Sequence, residues 1–229
     1  MILQLKNLSK TYPASEGVEP VTVLSNLQLS VDKGETVAVL GRSGCGKSTL
    51  LSLIAGLDLP TSGDVLVADQ SLITMKEKDL SKFRAKNIGI VFQQFHLMPH
   101  LTALENISLP LELVHDKAAR EKSEAMLESI GLFNRKTHFP HQLSGGECQR
   151  VAIGRALVIE PAILLADEPT GNLDEKTGDQ LAGLLFKLVE SINMTLLLVT
   201  HNQSLAAQCS KQLTLRNGSL ADDLVKISN

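Results

Sequence analysis

Residues 36–55 read TVAVLGRSGCGKSTLLSLIA, which is an apolar run, a glycine-rich stretch and then a pattern typical of a helix. Residues 41–48 fit GxxxxGK[ST], between a predicted buried strand at Thr36–Leu40 and a helix that begins at Lys47 and stops near Gly56. In this motif the main-chain N–H groups of the loop surround phosphate groups, and the helix N-terminus adds a favourable dipole. Residues 41–48 are therefore predicted to bind phosphate and are called the phosphate loop below.

Two side chains of the phosphate loop indicate which ligand it accepts. Lys47 is suited to contact the β- and γ-phosphates of a nucleoside triphosphate, and Ser48 can ligate Mg²⁺. We expect the nucleotide to contact Gly41, Arg42, Ser43, Gly44, Cys45, Gly46, Lys47, Ser48 and Thr49. The loop alone leaves kinases, GTPases and several ATPase classes open, although a GTPase is disfavoured because the sequence has no NKxD segment for guanine recognition.

A second stretch, ILLADEPTGNLD at residues 163–174, has two acids after a short apolar run that is typical of a buried strand. Asp167 has the position expected of the acid that holds Mg²⁺, directly or through water. Because successive side chains of a strand point to opposite faces, Glu168 should aim elsewhere and polarise the attacking water as a general base. The two stretches together predict hydrolysis of a nucleoside triphosphate.

Composition excludes several other classes of protein. The chain has 229 residues with a net charge of -3, so it has no general attraction for nucleic acid, and we expect no nucleic-acid partner. Its apolar runs are far shorter than the roughly 20 residues that span a bilayer, and the N-terminus lacks the pattern of a signal peptide. Three cysteines without CxxC spacing argue against a disulfide framework or a zinc site and favour a reducing cytosol.

Strand patterns alternate with helical patterns, which indicates an α/β fold with a largely parallel core sheet. Residues Val21–Val31 alternate like a half-exposed strand, and further buried strands are predicted at residues 88–92 and 195–199. The Asn217-Gly218 pair predicts a hairpin turn near the end of the chain.

The middle of the chain has a different pattern. From about residue 95 to residue 158 the periodicity is helical, for example over residues 117–130, and there is little strand signal. We therefore expect a single domain over residues 1–229, in which a helical subdomain of about residues 95–158 is inserted into the α/β core.

Residues 143–150 read LSGGECQR, and with this stretch the chain resembles the ATP-binding subunits of ABC transporters, whose LSGGQ-like signature it closely matches. The resemblance runs from about residue 2 to residue 220. It implies a P-loop NTPase core of the ABC ATPase type, with a parallel sheet, an antiparallel β part and an inserted helical subdomain. It also implies ATP and Mg²⁺ as cofactors, and the signature argues against a small-molecule kinase.

The resemblance implies roles for further residues. Tyr12 matches the aromatic residue that stacks on adenine, and His201 matches the histidine that contacts the γ-phosphate. Gln93 matches the glutamine that senses Mg²⁺ and the attacking water and links the site to the membrane partner. The implied catalytic residues are thus Glu168, His201 and Gln93, and the implied metal ligands are Ser48, Gln93 and Asp167.

The resemblance also implies a quaternary structure. Two subunits are expected to form a homodimer in the ATP-bound state, in which Ser144, Gly145 and Gly146 cap nucleotide held by the other subunit. Residues 172–174, which include Asp174, resemble the loop that crosses to the other protomer. A separate transmembrane permease is the expected partner, and membrane contact is expected only through it, at the cytoplasmic side of the inner membrane.

Within the family, residues 92–111 and 165–188 are most similar to the group of LolD, MacB and YbbA. This similarity implies that ATP hydrolysis powers lipoprotein release, or export or extraction of a substrate, through the membrane subunit. The alternative is a soluble single-cassette ABC ATPase that acts in cofactor assembly or repair. Two residues depart from the common family pattern, since Asn202 stands where aspartate is frequent and Cys148 where glutamine or arginine is common.

Overall fold

The structure is a computed structural model, and it describes residues 1–13 and 19–222. The strands in these residues are β1 (Leu3–Tyr12), β2 (Val21–Val31), β3 (Thr36–Leu40), β4 (Ser62–Val67), β5 (Gln70–Ser71), β6 (Ile88–Val91), β7 (Ile163–Asp167), β8 (Thr195–Thr200), β9 (Lys211–Arg216) and β10 (Ser219–Asp222). The helices are α1 (Lys47–Ile54), α2 (Glu77–Asn87), α3 (Ala103–Leu113), α4 (Ala119–Ser129), α5 (Gly145–Leu157), α6 (Glu175–Ser191) and α7 (Gln203–Ala206).

The chain divides into two compact units. The first unit contains Met1–Leu80 and the C-terminal residues from Thr195 on, and the second unit contains Ser81–Met194. In the first unit, β2, β1, β4 and β5 form an antiparallel sheet in that order. In the same unit, β3 pairs in parallel with β8 on one side and β9 on the other, and β10 continues antiparallel from β9.

Strands β3 and β8 of the first unit are buried on both faces, as their sequences predict. Val37, Ala38 and Val39 of β3 are fully buried, and so are residues 196–199 of β8. Parallel strands in an α/β protein are covered on both faces, which explains these unbroken apolar runs. At the far edge, Asn217 and Gly218 both have positive φ, at 49° and 75°, so the predicted hairpin turn joins β9 to β10.

The second unit combines a strand pair with a helical core. Strands β6 and β7 are parallel, with Ile88 opposite Ile163. Helices α3, α4 and α5 pack around a common apolar cluster, which contains Ala103, Ile107, Leu111, Ala119, Leu127, Ile130, Leu132, Val151 and Val158. A Cβ atom on Gly154 would lie 3.1–3.2 Å from Ile107, Met126 and Ile130, so the missing side chain lets α5 approach its neighbours closely.

Several predicted elements have the bounds expected from sequence. Strands β2 and β3 match their predictions, whereas β6 ends at Val91, one residue early, and α4 is shorter than residues 117–130. Between β6 and β7 the described structure is helical, with short 3₁₀ turns beside α3, α4 and α5. No helix within residues 1–13 and 19–222 has both the length and the hydropathy required to cross a membrane.

Candidate active site

The phosphate loop joins β3 to α1 in the first unit. Gly44 and Gly46 have φ values of 78° and 105°, in the left-handed region where glycine is favoured. A Cβ atom on Gly46 would also lie 2.8 Å from Val23 Cγ1, so the position has no room for a side chain. Gly46 is the residue before the first turn of α1 and, having no side chain, supplies no side-chain cap to the N-terminus of that helix.

Lys47 connects the two ends of the phosphate loop. Its side chain is largely buried, and Nζ donates hydrogen bonds to the carbonyl oxygens of Gly41 at 2.8 Å and Arg42 at 3.1 Å. The loop carbonyls thus hold the ammonium group against the loop itself. A positive charge held among main-chain groups is suited to an anionic ligand.

A cavity of about 560 Å³ lies beside the phosphate loop, within the first unit. It is lined by Leu40, Gly41, Arg42, Cys45, His201, Gln203, Thr214, Leu215, Arg216 and Asn217. His201 follows β8, and β8 pairs with the strand that precedes the loop, so the sheet register brings this histidine to the loop. Gln203 and Arg216 were not predicted to lie here, because both belong to segments without a recognisable motif.

Tyr12 is the last residue of β1 and is 41% exposed. Its hydroxyl donates to Asp58 Oδ2 at 3.3 Å, and Lys10 Nζ lies 4.9 Å from the centroid of its ring. Lys10 also pairs with Asp58 at 2.7 Å. Partial burial raises the pKa of Asp58. The hydrogen bonds from Lys10 and from the main chain of Leu59 lower it by more, so the pKa lies below its ordinary value. The hydrogen bond to Asp58 fixes the hydroxyl end of Tyr12 while its ring stays exposed, and such a ring is suited to stacking on a nucleotide base.

In the second unit, Asp167 is the last residue of β7, and both Asp167 and Glu168 are half-buried. Glu168 has a φ of 45°, which is uncommon for a residue with a side chain, and its carbonyl accepts from the N–H of Gly171 at 2.9 Å. The premise that strand alternation directs Glu168 is therefore wrong. The strand has ended, and a left-handed residue at the start of a tight turn sets the direction of this side chain.

Gln93 lies just after β6 and contacts the loop that follows Glu168. Its Nε2 donates to Asn172 Oδ1 at 3.1 Å, and Asn172 Nδ2 donates to the carbonyl oxygen of Gln93 at 2.9 Å. The structure thus brings Gln93 and the loop containing Asp174 together within the second unit. Sequence reasoning missed the contact, because an asparagine in a polar loop carries no signal for a partner 79 residues away.

The signature loop, residues 143–146, forms the start of α5. Ser144 caps the helix, since its Oγ accepts from Glu147 N at 3.2 Å while the Glu147 carboxylate accepts from Ser144 N at 2.8 Å. That bond to the Ser144 main chain is the largest cause of the lowered pKa of Glu147. A Cβ atom on Gly145 would lie 3.5 Å from Leu173, and one on Gly146 would lie 2.6 Å from Thr177 Cγ2.

Asp174 has a structural partner within its own chain. Its Oδ1 accepts from Thr177 N at 3.0 Å, which caps the N-terminus of α6, and the hydrogen bonds from Thr177 lower its pKa. The same kind of role explains one departure from the family pattern. Asn202 accepts from Leu205 N at 3.1 Å and caps α7, a role that aspartate would fill equally well.

Cys148, the other departure, lies on the interior face of α5. Its Sγ donates to the carbonyl oxygen of Pro140 at 3.5 Å, and burial raises the pKa of its thiol. The side chain is a small apolar group packed beside the signature loop.

A glycine-rich loop between a buried parallel strand and a helix, together with an acid-ended parallel strand, defines a phosphate-loop nucleoside triphosphatase of the α/β class. The LSGG helix start narrows the class further. The chain belongs to the ABC transporter family, whose model matches residues 24–171. It is an ABC ATPase, which hydrolyses ATP to ADP and phosphate.

Similar proteins cover almost the whole chain. The ABC transporter ATP-binding protein YbbA of Escherichia coli strain K12 is 47% identical over 224 residues, which are 97% of each chain. The lipoprotein-releasing system ATP-binding protein LolD of Alcanivorax borkumensis is 45% identical over 221 residues, 96% of each chain. The ABC transporter ATP-binding protein MJ1508 of Methanocaldococcus jannaschii is 45% identical over 227 residues, covering 98% of this chain and 100% of that protein.

Among solved structures, the fold is similar to that of the ATP-binding cassette MJ0796 in a dimeric post-hydrolysis state bound to ADP and phosphate. That comparison has a TM-score of 0.87 and 40% sequence identity, and it covers 96% of this chain and 98% of the other.

Proposed function

We propose that this ATPase powers a separate transmembrane permease from the cytoplasmic side of the inner membrane, to which it binds peripherally. The proposed substrate class is a lipoprotein or another molecule that is extracted from or exported across that membrane. The similarity to LolD, a lipoprotein-releasing ATPase, supports this class. In the proposed organisation the chain is one domain over residues 1–229, with a helical subdomain of about residues 95–158.

The proposed catalytic and binding roles are assigned residue by residue. Main-chain N–H groups of the phosphate loop and Lys47 bind the triphosphate, and Tyr12 stacks on adenine. Glu168 acts as the general base, and His201 contacts the γ-phosphate. The hydroxyl of Ser48, the carboxylate of Asp167 and the carboxamide oxygen of Gln93 are the proposed Mg²⁺ ligands. Oxygen atoms of these kinds suit Mg²⁺, which when bound neutralises charge on the phosphates.

The proposed active form is a homodimer with two composite sites. Ser144, Gly145, Gly146 and Asp174 of one subunit are proposed to contact nucleotide held by the phosphate loop of the other. The main-chain N–H groups of Gly145 and Gly146 lie in the first turn of α5, where a helix end attracts anions. The dimeric state of the similar cassette MJ0796 supports this arrangement.

Mixing two inactive variants tests the composite sites. Ser144→Arg should bind ATP but block closure of the dimer, and Lys47→Ala should fail at the phosphate loop. In a mixed dimer with sites in trans, one site carries both changes and the other carries neither, so ATPase activity should return on mixing. Rescue requires that one intact site suffices, and a site built within one subunit predicts no activity in any mixture.

The observation that carries the transport proposal is an apolar groove in the second unit. It has a volume of about 260 Å³ and is lined by Ala85, Ile88, Gly89, Ile90, Leu109, Pro110, Leu113, Arg155, Ala156 and Ile159. Leu113 at its edge is 68% exposed, which is a large apolar surface for a partner to cover. We propose that a cytoplasmic helix of the permease occupies it through an apolar face.

Arg155 connects this groove to the proposed catalytic residue Gln93. It lines the groove, and its guanidinium donates to the carbonyl oxygens of Phe95 at 3.1 Å and His96 at 2.7 Å. Phe95 and His96 lie two and three residues after Gln93. A helix that presses on the groove would therefore act on the segment that carries Gln93.

Membrane flotation tests the groove. The chain is co-expressed with the multi-spanning membrane protein encoded beside it, and membranes are separated on a density gradient. The ATPase should float only with that partner, and Leu113→Arg should abolish flotation while the purified protein keeps its basal ATPase rate. Ile192→Arg is the matched control, because Ile192 is 46% exposed but does not line the groove. Recovery of the unaltered protein in the supernatant, with or without the partner, would favour the soluble assembly or repair role.

A further inference from the structure

The main chain on both sides of Gln93 is held by helix α5. Gln149 is fully buried, and its Nε2 donates to the carbonyl oxygen of Phe92 at 3.0 Å. On the other side, Arg155 donates to the carbonyl oxygens of Phe95 and His96. These bonds hold the main chain on both sides of Gln93 but do not reach its side chain.

Asn172 holds Gln93 by two hydrogen bonds, one to its side chain and one to its main chain. It accepts from Gln93 Nε2 at 3.1 Å through Oδ1, and it donates to the main-chain oxygen of Gln93 at 2.9 Å through Nδ2. The nitrogen and oxygen of a carboxamide are separate atoms that diverge from one planar carbon, and only the nitrogen donates. Engaging Nε2 with Asn172 therefore directs Oε1 of Gln93 away from Asn172, where it is available as an oxygen ligand.

The same contact connects Gln93 to the turn that begins at Glu168. The N–H of Gly171 donates to the Glu168 carbonyl at 2.9 Å and closes this turn, and Asn172 is the next residue. A Cβ atom on Gly171 would lie 3.0 Å from Gln93 Nε2 and 3.3 Å from the Glu168 carbonyl oxygen. The missing side chain at Gly171 thus permits the carboxamide of Gln93 to lie against the turn.

We propose that Asn172 is a positioning residue for Gln93. By accepting from Nε2 it selects the carboxamide orientation in which Oε1, the atom able to bind a cation, points away from Asn172 and would be available to hold Mg²⁺. The proposal rests on the proposed function, in which Gln93 is a ligand of Mg²⁺. Asn172 itself touches neither nucleotide nor metal in this role.

Two measurements test the role of Asn172. The first is the Mg²⁺ concentration that gives half-maximal ATPase activity at fixed ATP, which Asn172→Ala should raise about threefold to tenfold, the loss expected for one hydrogen bond. The second is the side-chain amide signal of Gln93 in ¹⁵N-labelled protein without nucleotide, assigned by its disappearance in Gln93→Ala. Asn172→Ala should shift this signal, because the acceptor of Nε2 is lost.

Asn134→Ala is the matched control, because Asn134 is an exposed asparagine of the second unit outside the Gln93 segment. It should change neither measurement. The double variant Gln93→Ala, Asn172→Ala should require the same Mg²⁺ concentration as Gln93→Ala alone, since Asn172 acts through Gln93. A purely structural role would instead lower the melting temperature in both backgrounds and leave the Mg²⁺ requirement unchanged.

The outcomes separate this proposal from the one on which it rests. If Gln93→Ala raises the Mg²⁺ requirement and Asn172→Ala does not, Asn172 is not a positioning residue, although Gln93 keeps its role as a ligand. If Gln93→Ala leaves the requirement unchanged, the assignment of Gln93 as a metal ligand is wrong, and the role of Asn172 is wrong with it. An unshifted Gln93 amide signal in Asn172→Ala contradicts the proposal without any reference to activity.

Discussion

The phosphate loop and the signature loop are both glycine-rich and both lead into a helix, yet their helix starts are built differently. At α1 the cap position is Gly46, which has no side chain and a φ of 105°. At α5 the cap position is Ser144, with extended backbone and a complete reciprocal cap with Glu147. The cap residue of α1 therefore offers no side-chain acceptor to the first N–H groups of its helix, whereas the cap residue of α5 does.

The glycines of the two loops also serve different purposes. Gly44 and Gly46 are needed for their left-handed backbone conformations. Gly145 and Gly146 have ordinary helical backbone, and the value of Gly146 is its close approach to Thr177, where a Cβ atom would lie 2.6 Å from Cγ2. Similar glycine-rich sequences therefore encode a ligand-binding turn in one loop and a tightly packed surface in the other.

The largest expected effect is on the rate of ATP hydrolysis, and it distinguishes a catalytic glutamate, Glu168, from a helix-capping glutamate, Glu147. Glu168→Gln should slow ATP hydrolysis by about 10²–10⁴-fold, the range for loss of a general base, and should leave ATP binding intact. Glu147→Gln should change turnover far less, because glutamine also completes the cap of Ser144. Single-turnover hydrolysis and nucleotide binding are measured on both variants.

Near-normal turnover in Glu168→Gln would remove this residue from the role of general base. Equal losses in the two variants would instead indicate that the signature loop takes part in the chemical step as directly as the turn after β7.

The next effect distinguishes the two kinds of glycine. Gly46→Ala should weaken ATP binding by about tenfold or more, because left-handed backbone costs an L-residue roughly 1–2 kcal/mol and the new Cβ atom would also meet Val23. Gly145→Ala should leave monomeric ATP binding unchanged, since its Cβ atom would make only ordinary contacts at 3.5 Å and 3.7 Å. Calorimetric titration with ATP on both variants checks this, and similar losses of affinity would contradict the comparison.

A smaller effect is expected on the free energy of unfolding when the Ser144 cap of α5 is removed. Ser144→Ala removes the side-chain acceptor at the start of α5 and should lower the free energy of unfolding by about 1 kcal/mol. For a chain of this size that corresponds to a fall in melting temperature of roughly 2–4 °C. Ser43→Ala in the phosphate loop is the control, because Ser43 is exposed and lies outside the helix cap, so its effect should stay within about 0.5 kcal/mol. Equal melting temperatures for the two variants would mean that the cap adds no stability.

Sequence reasoning succeeded where local pattern and burial agree. Strand β3, the phosphate loop and the start of α1 are encoded by contiguous residues, so their order and bounds can be predicted. Strands β1 and β4 were not predicted, because the pairings of β1 contain register shifts, with Asn7 at a φ of 51°, that interrupt a regular alternation.

The contacts around Gln93 lay beyond sequence reasoning for a different reason. Asn172 and Arg155 reach this segment from positions about 80 and 60 residues away, and either residue alone reads as an ordinary polar side chain. The motif identified Gln93, but the groups that hold it follow from tertiary packing. The left-handed backbone of Glu168 is a further feature of this kind, because a glutamate followed by proline gives no local signal for positive φ.

The smallest expected effect is a pH dependence that belongs to the signature loop. Hydrogen bonds from Ser144 lower the pKa of Glu147 from its ordinary value of 4.5 in the folded protein. Its contribution to stability is therefore complete above about pH 4.5 and is lost as the pH falls through the lowered folded pKa. Glu147→Gln keeps a cap but cannot titrate, so the difference in unfolding free energy between the two proteins should be constant near neutral pH and should shift against the unaltered protein in acid. Urea unfolding across this range measures it, and a difference that does not change with pH would show that the carboxylate adds nothing to the cap beyond its shape.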